Sequence, residues 1–139
     1  MRSLLLRLCI SSLLIISISC EMLIQNTNND LSGEWKCTES HEKEGERTYI
    51  VDISYENQDS SRIRIYNFMN LDSTSLYSST YIHASVSGHS ITIPRQEIDD
   101  RTVWGNGTIN SSYSSIKLLF NDDLFGGDPF DVSATLTKY

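Results

Sequence analysis

The sequence predicts an all-β domain: an antiparallel up-and-down meander of about eight strands that closes into a barrel. Three observations support this prediction. Apolar and polar residues alternate along most of the chain after Leu31, which is the period of a half-buried strand. No stretch keeps a helical period. Polar or glycine-containing turns recur at short intervals, as they do in barrels and sandwiches. A β-sandwich is the alternative architecture.

Eight alternating segments follow one another, separated by polar residues or glycine. The step at Gly88 and His89 is typical of a hairpin, since glycine takes a positive φ at low cost. Pro94 cannot donate to a ladder and predicts a strand end or an edge. Gly105 and Gly107 predict a bulge or sharp bend within their own strand. The predicted strands cover residues 34–38, 48–56, 62–65, 81–86, 91–93, 103–109, 116–120 and 132–137.

The interior of this barrel is expected to be largely filled. Eight strands enclose either packed side chains or one small ligand. The one-sided apolar residues are mostly Ile, Val and Leu, and the chain of 139 residues is short for a ligand-holding barrel. Its length allows one domain after Leu31.

The N-terminal segment predicts export and a lipid anchor. Arg2 and Arg7 form a basic start, residues 8–18 are largely apolar, and small residues precede Cys20. That layout is typical of a secretory signal peptide, and a cysteine at the cut resembles the lipobox of bacterial lipoproteins. We therefore predict a signal peptide over 1–19, a lipidated Cys20 with a tether over 20–30, and the barrel over 31–139. Ordinary secretion with a free Cys20 thiol is the alternative.

Charge and cysteine content exclude some classes of partner and bond. The formal net charge is −7 at pH 7, and an acidic chain disfavours nucleic acid as a partner. With Cys9 in the signal peptide and Cys20 acylated, Cys37 has no partner within the chain. We expect Cys37 to behave as a small buried hydrophobe.

No residue pattern predicts catalysis. None of the three histidines has the spacing of a metal ligand, and neither a nucleophile elbow nor a phosphate-binding glycine loop occurs. The charged run 41–46 is typical of a solvated loop. The acidic run 121–131 is expected to be a turn whose Asp side chains cap backbone groups, with a calcium site as the alternative. We therefore expect no catalytic residue, no metal, no cofactor and no enzyme activity.

One short motif and the order of the strands carry a family resemblance. Gly33-Glu34-Trp35 resembles the Gly-x-Trp signature of lipocalins and other calycins, whose tryptophan plugs one end of the barrel. The succession of strand segments from residue 49 to residue 138 resembles the small lipocalin-like lipoproteins of Bacteroidota. That resemblance covers nearly the whole domain and implies a lipocalin-like barrel, but no biochemical function. The chain lacks a Thr-Asp-Tyr loop motif, and only Lys138 stands where lipocalins place an arginine on the tryptophan.

Two functional hypotheses remain open. The first is a non-catalytic binding module that holds a small apolar ligand at the barrel mouth, with an aromatic rim made of Tyr77, Tyr81, Phe125 and Phe130. The alternative is a protein-interaction or inhibitor module whose loops contact another envelope protein. In both cases the lipid at Cys20 attaches the protein to a membrane of the cell envelope. We expect the outer membrane, with the domain in the periplasm or at the cell surface.

Overall fold

A computed structural model describes residues 29–71, 80–124 and 126–139. The predicted signal peptide, Cys20, Tyr77 and Phe125 lie outside the described residues. A short 3₁₀ turn at Phe68–Asn70 follows the third strand, and no helix in the described part is long and apolar enough to cross a membrane. The strands are β1 (Gly33–His41), β2 (Gly45–Glu56), β3 (Asp59–Tyr66), β4 (Tyr81–Ser87), β5 (Ser90–Ile98), β6 (Arg101–Ile109), β7 (Ser115–Leu124) and β8 (Phe130–Lys138).

The eight strands form a closed antiparallel barrel in which each strand pairs with its neighbour in the chain. Closure is made by β8, which pairs antiparallel with β1 from Trp35 opposite Lys138 to His41 opposite Val132. The predicted meander and its closure are confirmed, and the sandwich alternative is wrong. Closure leaves no free edge along these strands.

The interior is built from the alternating apolar positions. On β3, for example, Ile63 and Ile65 are buried, whereas Arg62 is exposed to solvent. Full burial of one such side chain contributes about 1.5–3 kcal/mol. Buried apolar residues from all eight strands meet in a single core, and Phe68 and Met69 of the 3₁₀ turn join it. Cys37 lies in this core as expected.

The two ends of the barrel differ in chemistry. At the start of β1, Leu31 and Trp35 are fully buried, and we call this the tryptophan end. At the other end of β1, Glu39 and His41 are buried, and together with Asp122 at the same end of β7 they define the ionic end. Odd-numbered strands run from the tryptophan end to the ionic end, because the barrel is an antiparallel meander.

Four local predictions are wrong. β5 does not stop at Pro94 but continues to Ile98, and the register shift lies in β5 between Ile93 and Gln96, not in the glycine-containing strand. Bulges are among the few places where a sheet accepts proline. The run 41–46 is not a solvated loop throughout, since His41 ends β1 and is buried. Residues 121–124 are not a turn, because they complete β7 in register with β6.

Candidate functional site

The inward-facing row of β1 changes character along its length. Trp35 and Cys37 belong to the apolar core, but the next two inward positions are Glu39, at 0% exposure, and His41, at 2%. Burial raises the pKa of the Cys37 thiol to about 12, so this cysteine stays a neutral thiol. A buried carboxylate is tolerated only with close partners, and the interior of the ionic end supplies them.

Glu39 is held by two side chains of β2. The Tyr49 hydroxyl donates to Glu39 Oε2, and Arg47 Nε donates to Glu39 Oε1 at 2.8 Å. A second guanidinium nitrogen, Arg47 Nη2, lies 2.6 Å from the same oxygen. Burial raises the pKa of Tyr49, so its phenol keeps the proton that it donates. Glu39 therefore has both carboxylate oxygens paired.

His41 is fixed by bonds to both ring nitrogens. Its Nδ1 accepts from the backbone N–H groups of Lys43 and Glu44 at 3.0 and 3.1 Å. A nitrogen that accepts two hydrogen bonds carries no proton, so the proton sits on Nε2. That Nε2 donates to Asp122 Oδ2 at 3.0 Å, and Arg101 Nη1 donates to the same oxygen.

Glu44 connects the two halves of this ionic end. Its Oε2 accepts from Arg47 Nη1 at 2.8 Å and its Oε1 from Arg101 Nη2 at 2.9 Å. The hydrogen bond from Arg101 is the main cause that holds the pKa of Glu44 below its usual value. A continuous chain of hydrogen bonds and ion pairs thus crosses the barrel end, and we call it the ionic chain. In order its members are Tyr49, Glu39, Arg47, Glu44, Arg101, Asp122 and His41.

Aromatic side chains pack around the ionic chain in the described part of this end. Phe130 lies beside His41, with ring centroids 5.6 Å apart, and Lys43 Nζ lies 5.3 Å from the Phe130 centroid. Beneath them Phe68 packs on Phe120 at 4.8 Å. Among the described residues no three His, Cys, Asp or Glu side chains are placed to hold a metal ion. The three carboxylates of the ionic chain are paired with the guanidinium groups of Arg47 and Arg101. We therefore interpret the ionic chain as a stabilising element of the barrel.

The structure places the two described rim candidates differently. Phe130 lies half-buried at the ionic end, where the rim was expected. Tyr81 is on the outside of the wall, because the buried positions of β4 are Ile82 and Ala84. Its ring contacts Tyr66 and His83, with both pairs of centroids 5.2 Å apart. Tyr81 therefore does not line the mouth.

The residues of the Gly-x-Trp motif lie at the tryptophan end. Gly33 has a φ of 104°, a conformation that glycine accepts readily. Trp35 is fully buried and its Nε1 donates to the Leu31 carbonyl at 2.9 Å. Lys138 Nζ lies 5.5 Å from the Trp35 ring centroid. A lysine thus lies over the ring of this tryptophan.

A groove of about 730 Å³ lies on the outer wall of the barrel. It crosses five strands, from β5 through β6, β7 and β8 to β1, and we call it the wall groove. Its volume falls within the range of about 300–1,000 Å³ that is usual for small-molecule sites. Its outward-facing lining consists of Ser40, Glu42, Arg95, Trp104, Asn106, Leu119, Asn121, Asp131 and Ser133.

The strand register arranges most of this lining in two rows. Nearer the ionic end, Trp104 lies opposite Asn121, and Asn121 lies opposite Asp131; Glu42 extends this row through its backbone hydrogen bond to Asp131. The second row is Asn106 opposite Leu119, Leu119 opposite Ser133, and Ser133 opposite Ser40. An aromatic residue thus stands at one end of a surface rich in amides, hydroxyls and carboxylates.

Two backbone features shape the wall groove. A Cβ atom on Gly105 would clash with the Leu119 carbonyl oxygen and the Phe120 backbone, so glycine is needed for the close approach of β6 to β7. The extra residue at the β5 bulge leaves Pro94 and Arg95 both exposed. Bulges commonly re-aim a side chain in this way, and here Arg95 lies over the Trp104 ring at 4.1 Å.

The sequence did not predict the ionic chain or the wall groove. The signal for the ionic chain was the alternation itself, since Glu39 and His41 continue the odd-numbered row that begins at Trp35. The signal for the wall groove was weaker. Alternation places Trp104 and Leu119 outward, but their proximity follows only from the register of β6 and β7.

Comparison with known proteins identifies no family. No family model matches the chain, and no curated protein matches it. Among solved structures, a redesigned β-barrel is similar, at 12% sequence identity and a TM-score of 0.49. The match covers 84% of this chain and 97% of that barrel. The assignment of a closed barrel rests on the strand pairing of the chain itself.

Proposed function

We propose that this protein is a non-catalytic binding module, attached to a cell-envelope membrane through Cys20, that takes its ligand in the wall groove. The observation that carries the proposal is the contrast between interior and wall. The described interior is packed from Trp35 to the ionic chain, whereas the groove outside is open and large enough for a small molecule. The mouth-binding hypothesis is thus moved to the outside of the barrel.

The energetics favour the wall as the site. A ligand entering at the ionic end would have to displace members of the ionic chain, of which Glu39 and Asp122 are almost fully buried. Separating a buried charge from its partner costs about 3–5 kcal/mol. The wall groove requires no such rearrangement, and a preformed site loses less affinity to ordering.

The anchor and the location are supported by the sequence. The basic start, the apolar run and the small residues before Cys20 are typical of lipoprotein export. Durable anchoring takes two or more acyl chains, and the lipobox resemblance implies a diacyl or triacyl anchor. A tethered, lipocalin-like barrel without a catalytic constellation is the class of protein that these features describe.

Native mass spectrometry tests the proposed site. The full-length protein is purified from its own host's envelope in tetraethylene glycol monooctyl ether, and a stoichiometric small-molecule adduct is expected. Leu119→Arg fills the groove at a position that is 62% exposed, and should abolish the adduct. The matched control is Ser85→Arg, an exposed outward position on β4, which should retain it. An adduct that survives both substitutions would place the ligand elsewhere.

The anchor is tested separately with Cys20→Ser, which should release the protein from the membrane fraction.

A protein-interaction role is the second candidate. Leu119 is the large apolar side chain that the described wall leaves most exposed apart from Tyr139, and it sits in the middle of the groove-lining surface. A co-purifying polypeptide lost in Leu119→Arg, with no small-molecule adduct, would support this second function over the first.

A further inference from the structure

The lining of the wall groove selects against a purely apolar ligand. Amide, hydroxyl and carboxylate groups from Asn106, Asn121, Ser133 and Asp131 stand beside the apolar surfaces of Trp104 and Leu119. A hydrocarbon chain in the groove would cover those polar groups without offering a hydrogen bond. A polar group that is buried without a hydrogen-bond partner loses its bonds to water without replacement, which offsets the gain from the apolar contact.

The charges of the groove also disfavour an anion. Among the described lining residues Arg95 is the one positive side chain, and it is already engaged by Asp123 at 3.5 Å and by the Trp104 ring. Glu42 and Asp131 contribute negative charge to the same lining. The Asn121 amide donates to Asp131 Oδ1 at 2.9 Å, which holds that carboxylate in place as an acceptor. The groove therefore complements a neutral ligand that has many hydroxyl groups.

Trp104 contributes an aromatic surface to the groove, part of which Arg95 covers. The ring is half-buried, and Arg95 holds it by a cation–π contact. Such a contact is attractive because the guanidinium charge faces the negative face of the ring. A side chain that already packs against a neighbour has less rotational freedom to lose when a ligand contacts it.

We propose that the wall groove binds a neutral oligosaccharide. A pyranose has apolar C–H groups for Leu119 and for the part of Trp104 that Arg95 leaves uncovered, and hydroxyl groups for the amides and carboxylates, so it complements both parts of the lining at once. Adjacent strands lie about 4.8 Å apart, which is close to the length of one sugar ring. A short chain of rings laid across β6, β7, β8 and β1 would place successive rings over successive members of the two rows. This inference rests on the proposed binding function.

Saturation-transfer difference NMR tests the inference on the full-length protein in the same sugar-free detergent. The probes are maltotriose, cellotriose, xylotriose and N,N′-diacetylchitobiose, with lauric acid as the apolar comparison. Transfer to the C–H protons of at least one saccharide is expected, and Trp104→Ala should weaken its binding about tenfold or more. Leu119→Arg is the second groove variant, which keeps the test valid if Trp104→Ala perturbs folding.

A matched control distinguishes loss of binding in the groove from the general effect of removing an aromatic side chain from the surface. Tyr66→Ala removes a half-buried outward aromatic from β3, on a strand that does not line the groove. We expect it to leave saccharide affinity within about twofold, whereas a loss equal to that of Trp104→Ala would overturn the assignment.

Two results overturn the inference in different ways. If no saccharide of the panel receives transfer at millimolar concentration, the saccharide assignment is wrong. If lauric acid then binds in a manner that Leu119→Arg abolishes, the wall groove remains a binding site and only the ligand class is wrong. If the native adduct is also insensitive to Leu119→Arg, the proposed function is wrong as well.

Discussion

The two ends of this barrel are sealed by opposite means. At the tryptophan end, Trp35 fills the interior and donates one hydrogen bond to Leu31. At the ionic end, three carboxylates and two guanidinium groups alternate across the opening, with Tyr49 and His41 as the outer members of the chain. Apolar packing stabilises wherever it is buried, whereas an ionic chain stabilises only while every member keeps its partner.

This difference determines how a substitution at each end lowers the stability of the fold. A substitution at the tryptophan end removes contacts in proportion to the volume lost. A substitution at the ionic end leaves a buried charge without its partner and also changes how the fold responds to pH. The wall groove is lined mainly by outward-facing side chains, whereas both seals are built mainly from inward-facing ones, so substitutions can be chosen that alter stability or binding separately.

Trp35→Ala is expected to give the largest loss of stability. Removing a fully buried indole destabilises by about 3–5 kcal/mol, through lost burial and the remaining cavity. Urea unfolding of the two tryptophan variants makes the comparison. Trp104→Ala, at a half-buried position on the wall, should cost about 1 kcal/mol or less. Equal losses would contradict the assignment of Trp35 as the seal of its end.

Asp122→Ala should give the next largest loss. It leaves the Arg101 guanidinium and the His41 Nε2–H without their shared acceptor, and we expect about 3 kcal/mol of destabilisation. Arg101 reaches solvent in part, at 14% side-chain exposure, which keeps the cost at the lower end of the usual range. The control is Asp128→Ala in the exposed turn before β8. Its free energy of unfolding should stay within about 0.5 kcal/mol of the parent value. Similar unfolding midpoints for the two variants would rule out a structural role for the ionic chain.

Glu44→Gln should have the smallest effect at neutral pH and a distinct effect in acid. Because Arg101 holds the pKa of folded Glu44 below the ordinary value of 4.5, its stabilising contribution is present above that pH. The contribution is lost as the pH falls through the lower folded value. Urea midpoints measured from neutral pH to about pH 3 should therefore fall less steeply in Glu44→Gln than in the parent. Glu46→Gln, at an exposed position, is the control. If the urea midpoints of all three proteins fall in parallel with pH, Glu44 does not stabilise the fold through Arg47 and Arg101.

The sequence predicted the barrel because its signal is local. Alternation at Ile63 and Ile65 or at Ile116 and Leu118 reports a buried face without any knowledge of partners, and eight such segments with short connections imply a meander. The same rule extended beyond the apolar residues would have placed Glu39 inside. The sequence alone does not support that extension, because a buried carboxylate is acceptable only beside a partner such as Arg47, and the sequence does not show which residue lies beside Glu39.

The wall groove could not be predicted from alternation. Parity along β6 assigns Trp104 to the outside, but it does not state which residue of β7 or β8 lies beside it. That information resides in the register, and the register near the groove depends on a one-residue bulge in β5. The proline at that bulge, Pro94, predicts a strand end or an edge, because the sequence does not reveal that β5 continues after it.

The pairing of β1 with β8 has a consequence for how the chain reaches this structure. Strand β1 has β2 on one side, but its other side stays unpaired until residues 132–138 have been synthesised. Closing a loop of about a hundred residues costs conformational entropy before any contact repays it, and topologies rich in such contacts fold slowly. Hairpins can form early, yet the barrel as a whole assembles only when its last strand arrives. Until then the chain exposes two strand edges, and an exposed edge is a place where another chain can pair.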